Sequence, residues 1–336
     1  MTVAYSCRPA LSRLAGAAIL ALSLLPAPAA RAQDAVYPAK TTTIVVPFAP
    51  GGVTDALARI IAEPLAEQLG KPFVIENKGG AGMIVGALAV SKAQPDGYTL
   101  LMATNGTLAI NSTLYKALPY TPLKDLVPVS LVGALPFVLL INPELPFKDL
   151  RQLIAYAKQQ PGKLNFASGG VGSSGHMFGE LLQSKAGFKM THVAYRGNVP
   201  ALTDTVAGHV QMIFSDIGSA TNLVQAGKLK AIAVTTAERF AGTPDIPTMA
   251  EAGVPGYEAE SWQMLALPAG VPLPIQEKLN IEANKAIATP AVRDRFLKLG
   301  VTPRGTGALS ELAAFNRAEI DRWGAVVRDA GIAGVE

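Results

Sequence analysis

Residues 44–69 read IVVPFAPGGVTDALARIIAEPLAEQL, and the order of the parts sets the fold class. Residues 43–47 are a short β-branched apolar run, the pattern of a buried strand. Pro-Phe-Ala-Pro-Gly-Gly interrupts it. Beyond it, Leu57, Ile60, Ile61, Leu65 and Leu69 recur at helical spacing, which predicts an amphipathic helix over 53–69. Strand, glycine turn and helix start are the parts of a ligand loop. This one carries no Ser-His pair, no Cys and no cluster of metal ligands. What it offers is backbone. The first amides of a helix lack partners within it, and the peptide dipoles place partial positive charge there. Gly51 and Gly52 let a ligand approach without a Cβ in the way. The natural guest is a carboxylate or phosphate. At roughly 1.5–3 kcal/mol net per charge-assisted bond, about four such bonds reach micromolar binding after association costs.

The alternation continues. Strands are predicted at 73–76 and 98–103, the first leading through GGAGM into a helix and the second ending at Thr104-Asn105-Gly106. A second unit begins near Asn142. It has a helix at 148–159, a strand at 164–167, the turn SGGVGSSGH and a helix at 177–185. A strand at 191–195, a helix at 200–207 and strands at 210–214 and 229–235 follow, one of them ending at Ser215-Asp216. A Pro/Gly-rich passage over 242–262 leads to helices at 275–288, 291–299 and 310–330. Such alternation predicts an α/β fold with largely parallel sheets and ligands beyond the carboxyl ends of the strands. Both halves share one device: strand, glycine turn, helix.

The N-terminus reads as an address. Arg8 and Arg13 precede the apolar run 14–25, then come Pro26, Pro28 and Ala30-Arg31-Ala32. The run is shorter than the roughly 20 residues a bilayer span needs, so residues 1–32 are expected to be a cleavable export signal. Cleavage would leave 304 residues (336 minus 32) and lower the net charge from +4 to +1, because three Arg and no acid depart (26 minus 25). That balance argues against a nucleic-acid surface. Cys7, the one cysteine, leaves with the signal and precedes the apolar run, which is not the lipoprotein position. Disulfides and thiol chemistry are then unavailable, and the 49% apolar content must supply the core. About 300 residues favour two lobes over one.

Several residues admit more than one reading. Gly51-Gly52 also suits a plain tight turn. Asp55 in the first turn either stabilises the helix or selects against further anions. Gly170-Val171-Gly172-Ser173-Ser174-Gly175 fits G-x-G-x-x-G, but no acid stands in the KMTHVAYRG stretch where a ribose partner belongs. Gly172-Ser173-Ser174-Gly175-His176 puts His where a nucleophile elbow needs Gly. His176, His192 and His209 are too scattered for a readable metal site. Tyr195 and Trp262 read as core or cleft-wall aromatics, and Arg196 as a solvated charge. What survives is a hydroxyl- and amide-rich helix start facing the first.

Seven stretches then agree: VPFAPGGVTDALAR, ENKGGAGMIVGA, PDGYTLLM, HVAYRG, AGKLKAIAVTTAERF, PDIPTMAEAGVPGYEAESW and PAGVP. In that order they resemble the Bug-type substrate-binding proteins of tripartite tricarboxylate transporters, over roughly residues 37–332. The resemblance implies a type II periplasmic binding protein, two α/β lobes joined by two crossing strands around a ligand cleft. Lobe 1 is expected at 33–138 and 258–336, and lobe 2 at 139–257. Binding residues implied by the matching motifs are Phe48, Ala49, Gly51, Gly52, Thr54 and Asp55 on one side. Ser168, Gly170, Ser173 and Ser174 stand opposite, with Thr104, Asn105 and Asp216 at nearby strand ends. The family's usual Arg-Pro-Gly-Ala-Gly-Gly run reads Lys78-Gly79-Gly80-Ala81-Gly82-Met83 here, so Met83 takes a glycine's place at the pocket edge. The expected function is a periplasmic receptor for a small carboxylate, with no catalytic residue, metal or cofactor. Its expected partners are two membrane subunits, though many such receptors are encoded without them. An exported esterase using Ser173 or Ser174, and a ligand-reporting subunit of a membrane sensor, are the alternatives.

Overall fold

Two sheets organise the chain, and a single proline separates them. The computed structural model describes residues 1–5 and 37–335. The expected signal's apolar run, Cys7 and the cleavage pattern lie outside the described residues. Within the unit Pro38–Glu336, β1 (Thr42–Val46), β2 (Phe73–Asn77), β3 (Thr99–Thr104) and β4 (Leu126–Leu135) lie in the first sheet. Past Pro136 the chain enters the second with β5 (Phe137–Ile141), β6 (Asn165–Ser168), β7 (Thr191–Ala194), β8 (Met212–Asp216) and β9 (Lys230–Val234). β10 (Ser261–Pro268) and β11 (Thr302–Pro303) return to the first. The spatial orders are β11-β4-β10-β3-β1-β2 and β7-β6-β8-β5-β9.

The helices fill the connections. α1 (Val53–Leu69) follows β1, α2 (Ile84–Ser91) follows β2, and a π-helical turn at Gly106–Ile110 follows β3. α3 (Leu150–Gln159) precedes β6, while α4 (Ser174–Ala186), α5 (Asn198–Val206) and α6 (Ile217–Gln225) follow β6, β7 and β8. α7 (Leu273–Ala288), α8 (Pro290–Lys298) and α9 (Leu309–Asp329) end the chain. None of the described helices is long and apolar enough to cross a membrane.

Each sheet is built around one pivot strand. β1 pairs in parallel with β2 on one side and β3 on the other. β6 does the same with β7 and β8. Chain order therefore reverses at β1 and at β6, and a crevice opens beyond the carboxyl end of each. The antiparallel members come from the crossings: β10 pairs with β3 and β4, and β5 with β8 and β9.

The two crossings run side by side. Phe137 exchanges hydrogen bonds with the Thr235 hydroxyl, its amide donating at 3.3 Å and its carbonyl accepting at 3.2 Å. The Ala259 amide donates to Thr235 O at 2.8 Å, and Ser261 pairs with Leu135. Two adjacent single strands form a natural hinge axis.

α9 closes the first lobe and reaches the second. Its buried Glu319 accepts from the indole of Trp262 on β10 at 2.7 Å and from that of Trp323 at 3.0 Å. Trp323 is fully buried and stacks on Phe178 of α4 with ring centroids 5.6 Å apart. Removing the carboxylate leaves two buried indole donors unpaired, each costing about 1–3 kcal/mol. Glu319→Ala should therefore lower unfolding stability by roughly 3 kcal/mol, measured by urea denaturation. A loss below about 1 kcal/mol, the range of ordinary surface changes, would show that these bonds are not what fixes α9.

Candidate functional site

The loops after β1, β6, β7 and β8 meet in one cleft between the sheets. Phe48, Ala49, Gly52, Thr54 and Asp55 line its first wall, with Thr104 at the end of β3. Ser173, Ser174, Gly175, Gly197, Asn198 and Asp216 line the second. An inner pocket of about 90 Å³ adjoins a wider outer cavity of about 900 Å³ that Gly170 and Tyr195 help to line.

Four helices begin here, and they are not equivalent. Ser173 caps α4 by accepting from the His176 amide at 3.4 Å. Asp216 caps α6 by accepting from the Ser219 amide at 2.8 Å. Gly52 at the start of α1 and Gly197 at the start of α5 supply no side-chain cap. The first-turn amides of α1 and α5 are thus left facing the cleft with the positive end of each dipole. Gly52 has φ −83°, which any residue adopts, and an added Cβ there would meet nothing within 4 Å. Its bareness keeps the approach to the amides open.

Both acids at the cleft are already engaged. Asp55 accepts from Gly51 N, Arg59 and Asn77 Nδ2, each at 3.1 Å. Burial pushes its carboxyl up, but the bonds from Arg59, Gly51 and Asn77 outweigh that and hold it below the usual range. Asp216 receives Asn198 Nδ2 at 2.8 Å as well as the Ser219 amide. Burial raises its carboxyl, and these bonds offset only part of the rise.

Other expected residues support the walls from behind. Asn105 has no exposed surface, and its Oδ1 lies 2.8 Å from Ser174 Oγ, which is also 2.8 Å from Ser261 Oγ. These bonds tie α4 of the second lobe to β10 and the end of β3 in the first. Ser168 is fully buried; its hydroxyl joins the Gly170 amide at 3.2 Å and His192 Nε2 at 2.7 Å. Gly51 is exposed, with φ +95° and its amide spent on Asp55. Sequence reading passed over Asn198, Ser261 and Gln263, and took Arg196 for a solvated charge. All four line the inner pocket. Gln263 Oε1 is buried without a hydrogen-bond partner. Trp262 is core, bonded to Glu319.

Under the second loop lies a histidine pair. The rings of His176 and His192 stack with centroids 3.8 Å apart, and His176 Nδ1 accepts from the Gly172 amide at 3.2 Å. Among the described residues no group of three or more His, Cys, Asp or Glu is placed to hold a metal. Stacked, partly dry imidazoles disfavour charge. Burial lowers His176 to about 4, and burial with the neighbouring ring lowers His192 to about 3.

Comparison with known proteins places the chain in a family. Residues 57–332 match the tripartite tricarboxylate transporter family receptor. The chain belongs to that family. Among relatives of this receptor, Protein BugT of Bordetella pertussis is 38% identical over 296 residues, covering 88% of this chain and 90% of BugT. The solved structure of R. palustris Rpa4515 with adipate is 36% identical, covers 89% of this chain and 100% of its own, and superposes with a TM-score of 0.83. MatC of Rhodopseudomonas palustris with bound malate is 38% identical, covers 87% and 100%, and has a TM-score of 0.82.

The histidines make the receptor's acid limb predictable. Their folded values lie below the unfolded value near 6.5, so unfolding takes up protons between roughly pH 6.5 and 4. Stability is full above about 6.5 and falls as pH drops, by up to about 1.4 kcal/mol per unit and ring. Glu180, raised by burial, works in the opposite sense, so the comparison must hold it constant. Between pH 6.5 and 5, His192→Gln should lose about 1–2 kcal/mol less than the natural chain by urea denaturation. Parallel curves would exclude His192 as a proton acceptor on unfolding.

Proposed function

We propose that this receptor captures a small carboxylate-bearing metabolite between its lobes in the periplasm, performs no chemistry on it, and passes it to membrane subunits of a tripartite tricarboxylate transporter. The observation that carries the reading is the meeting of four helix starts at one cleft, two of them without side-chain caps. Dipole ends and unpaired amides favour an anion. The acids at the same cleft are occupied by Arg59, Asn77, Asn198 and Ser219. Arg196 adds a cationic side chain to the wall. The malate and adipate held by MatC and Rpa4515 are carboxylates of this kind. In this reading the described parts of lobe 1, residues 38–138 and 258–335, move together and 139–257 as the other lobe, a division supported by the sheet change at Pro136. The expected export signal supports the compartment.

An esterase reading finds no geometry. Ser173 caps a helix, and Ser174 is paired with Asn105 and Ser261 rather than a base. The serine that does meet a histidine, Ser168, has no exposed surface from which to attack a substrate.

Thermal-shift screening against mono-, di- and tricarboxylates should raise the melting temperature with at least one; silence across the panel would oppose the reading. Gly52→Val then tests the site. Its backbone suits a β-carbon and the added atoms enter open space, so the fold should hold while the α1 amides are covered. Losing two charge-assisted bonds weakens binding by at least about 100-fold, read by calorimetry. Gly170 is a poorer probe, because its φ of +137° and a Tyr195 carbonyl 3.3 Å from an added Cβ strain any substitution. Unchanged affinity in folded Gly52→Val would refute the amide site.

A further inference from the structure

We propose that Met83 sets the length of acid this receptor accepts, by walling the inner pocket off from the outer cavity. The inference rests on the receptor reading above.

The backbone marks Met83 first. Among the described residues, Ala81 (φ +44°) and Met83 (φ +71°) are the non-glycine residues with positive φ. They alternate with Gly80 and Gly82, so four consecutive residues are left-handed. A β-carbon is disfavoured in that region, and such strain persists where the surroundings give the side chain a use. Glycine would sit at position 83 without cost. The side chain must therefore offset what its backbone loses.

Its surroundings show how. Met83 is only 4% exposed, although it stands in the walls of both cavities. Its Sδ lies 3.6 Å from Thr104 Oγ1 and accepts that hydroxyl's hydrogen, which withdraws a donor from the pocket. Its Cε rests against Gly106, where an added Cβ would come within 2.5 Å of it and within 2.8 Å of the Gly172 carbonyl. Gly106 is bare because the thioether and the facing loop of the second lobe both close on it. Met83, Gly106 and Gly172 thus interlock across the cleft.

The consequence is a partition. Phe48, Ala49, Arg196 and Met83 belong to the walls of both the inner pocket and the outer cavity. Of these, Met83 is the one with a left-handed backbone, which truncation to glycine relieves. With Met83 present, a linear acid longer than the inner pocket must carry its far end past a packed thioether. With glycine, the two spaces join, the Thr104 hydroxyl is released, and Arg196 is available to a second carboxylate.

The test titrates the full chain and Met83→Gly with linear dicarboxylates from malonate to suberate, by calorimetry. The natural chain should prefer a short acid and show none of the roughly fourfold gain in affinity that each further buried methylene would bring. Met83→Gly should move the optimum to a longer acid and gain at least about tenfold for suberate relative to the natural chain. Met83→Ala should shift the optimum in the same direction, and serves as the readout if the glycine variant melts too low to titrate. Met83→Leu should keep the natural profile. An identical rank order in the natural chain and the truncated variants overturns the proposal and leaves the receptor reading standing. Absence of binding by every protein to every acid of the series also overturns the proposal, while the receptor reading then falls only if the wider carboxylate screen is silent too.

Discussion

The amides that open α1 and α5 have no partners of their own, and the rest of the site follows from that deficit. A helix start unsatisfied by a side chain is stable only where water or a ligand can reach it. Here the fold places one such start after the pivot strand β1 and the other after β7, the strand beside the pivot β6. A pivot strand guarantees that the loops on its flanks diverge, so the space between them stays open. The recognition surface is thus a product of strand order and glycine placement more than of reactive side chains.

Side chains enter as restraints on that surface. Asp55 holds the first loop by taking the Gly51 amide, and Asn77 Nδ2 joins Asp55 to the Phe48 carbonyl at 3.2 Å. Ser168 and His176 do the equivalent beneath the second loop. In both lobes polar residues behind the loop spend hydrogen bonds on its backbone. Preorganisation of this kind reduces what binding must spend on ordering.

Much of this was legible in the sequence, for identifiable reasons. α1 was read to the residue because its apolar positions keep helical spacing and Gly52 and Gly70 bracket it, Gly70 with φ +69°. The two crossing strands beside the hinge, β4 and β10, escaped the periodicity reading. Nearly every residue of both is buried, so alternation vanishes, and Pro128 and Gly133 inside β4 resemble breakers. Gln263 was lost with β10. α5 was placed to begin at Pro200, whereas it starts at Asn198 after Gly197, with φ +131°. Asn198 and Val199, missed by that boundary, line the inner pocket, and Pro within a first helical turn was the available signal. Ser168 and Asn105 were named from motif position, and their burial depends on what packs above them, which local sequence does not encode.

The contact of Ser174 with Asn105 and Ser261 has a thermodynamic consequence for cargo handling. It joins the two halves through neutral groups, so any motion that parts α4 from β3 and β10 has to break it. Each neutral bond contributes about 1 kcal/mol, enough to bias the equilibrium between open and shut without locking it. A larger share of shut protein would sharpen apparent affinity, at the expense of slower entry and delivery. Hydroxyl and amide partners keep that bias small and insensitive to salt.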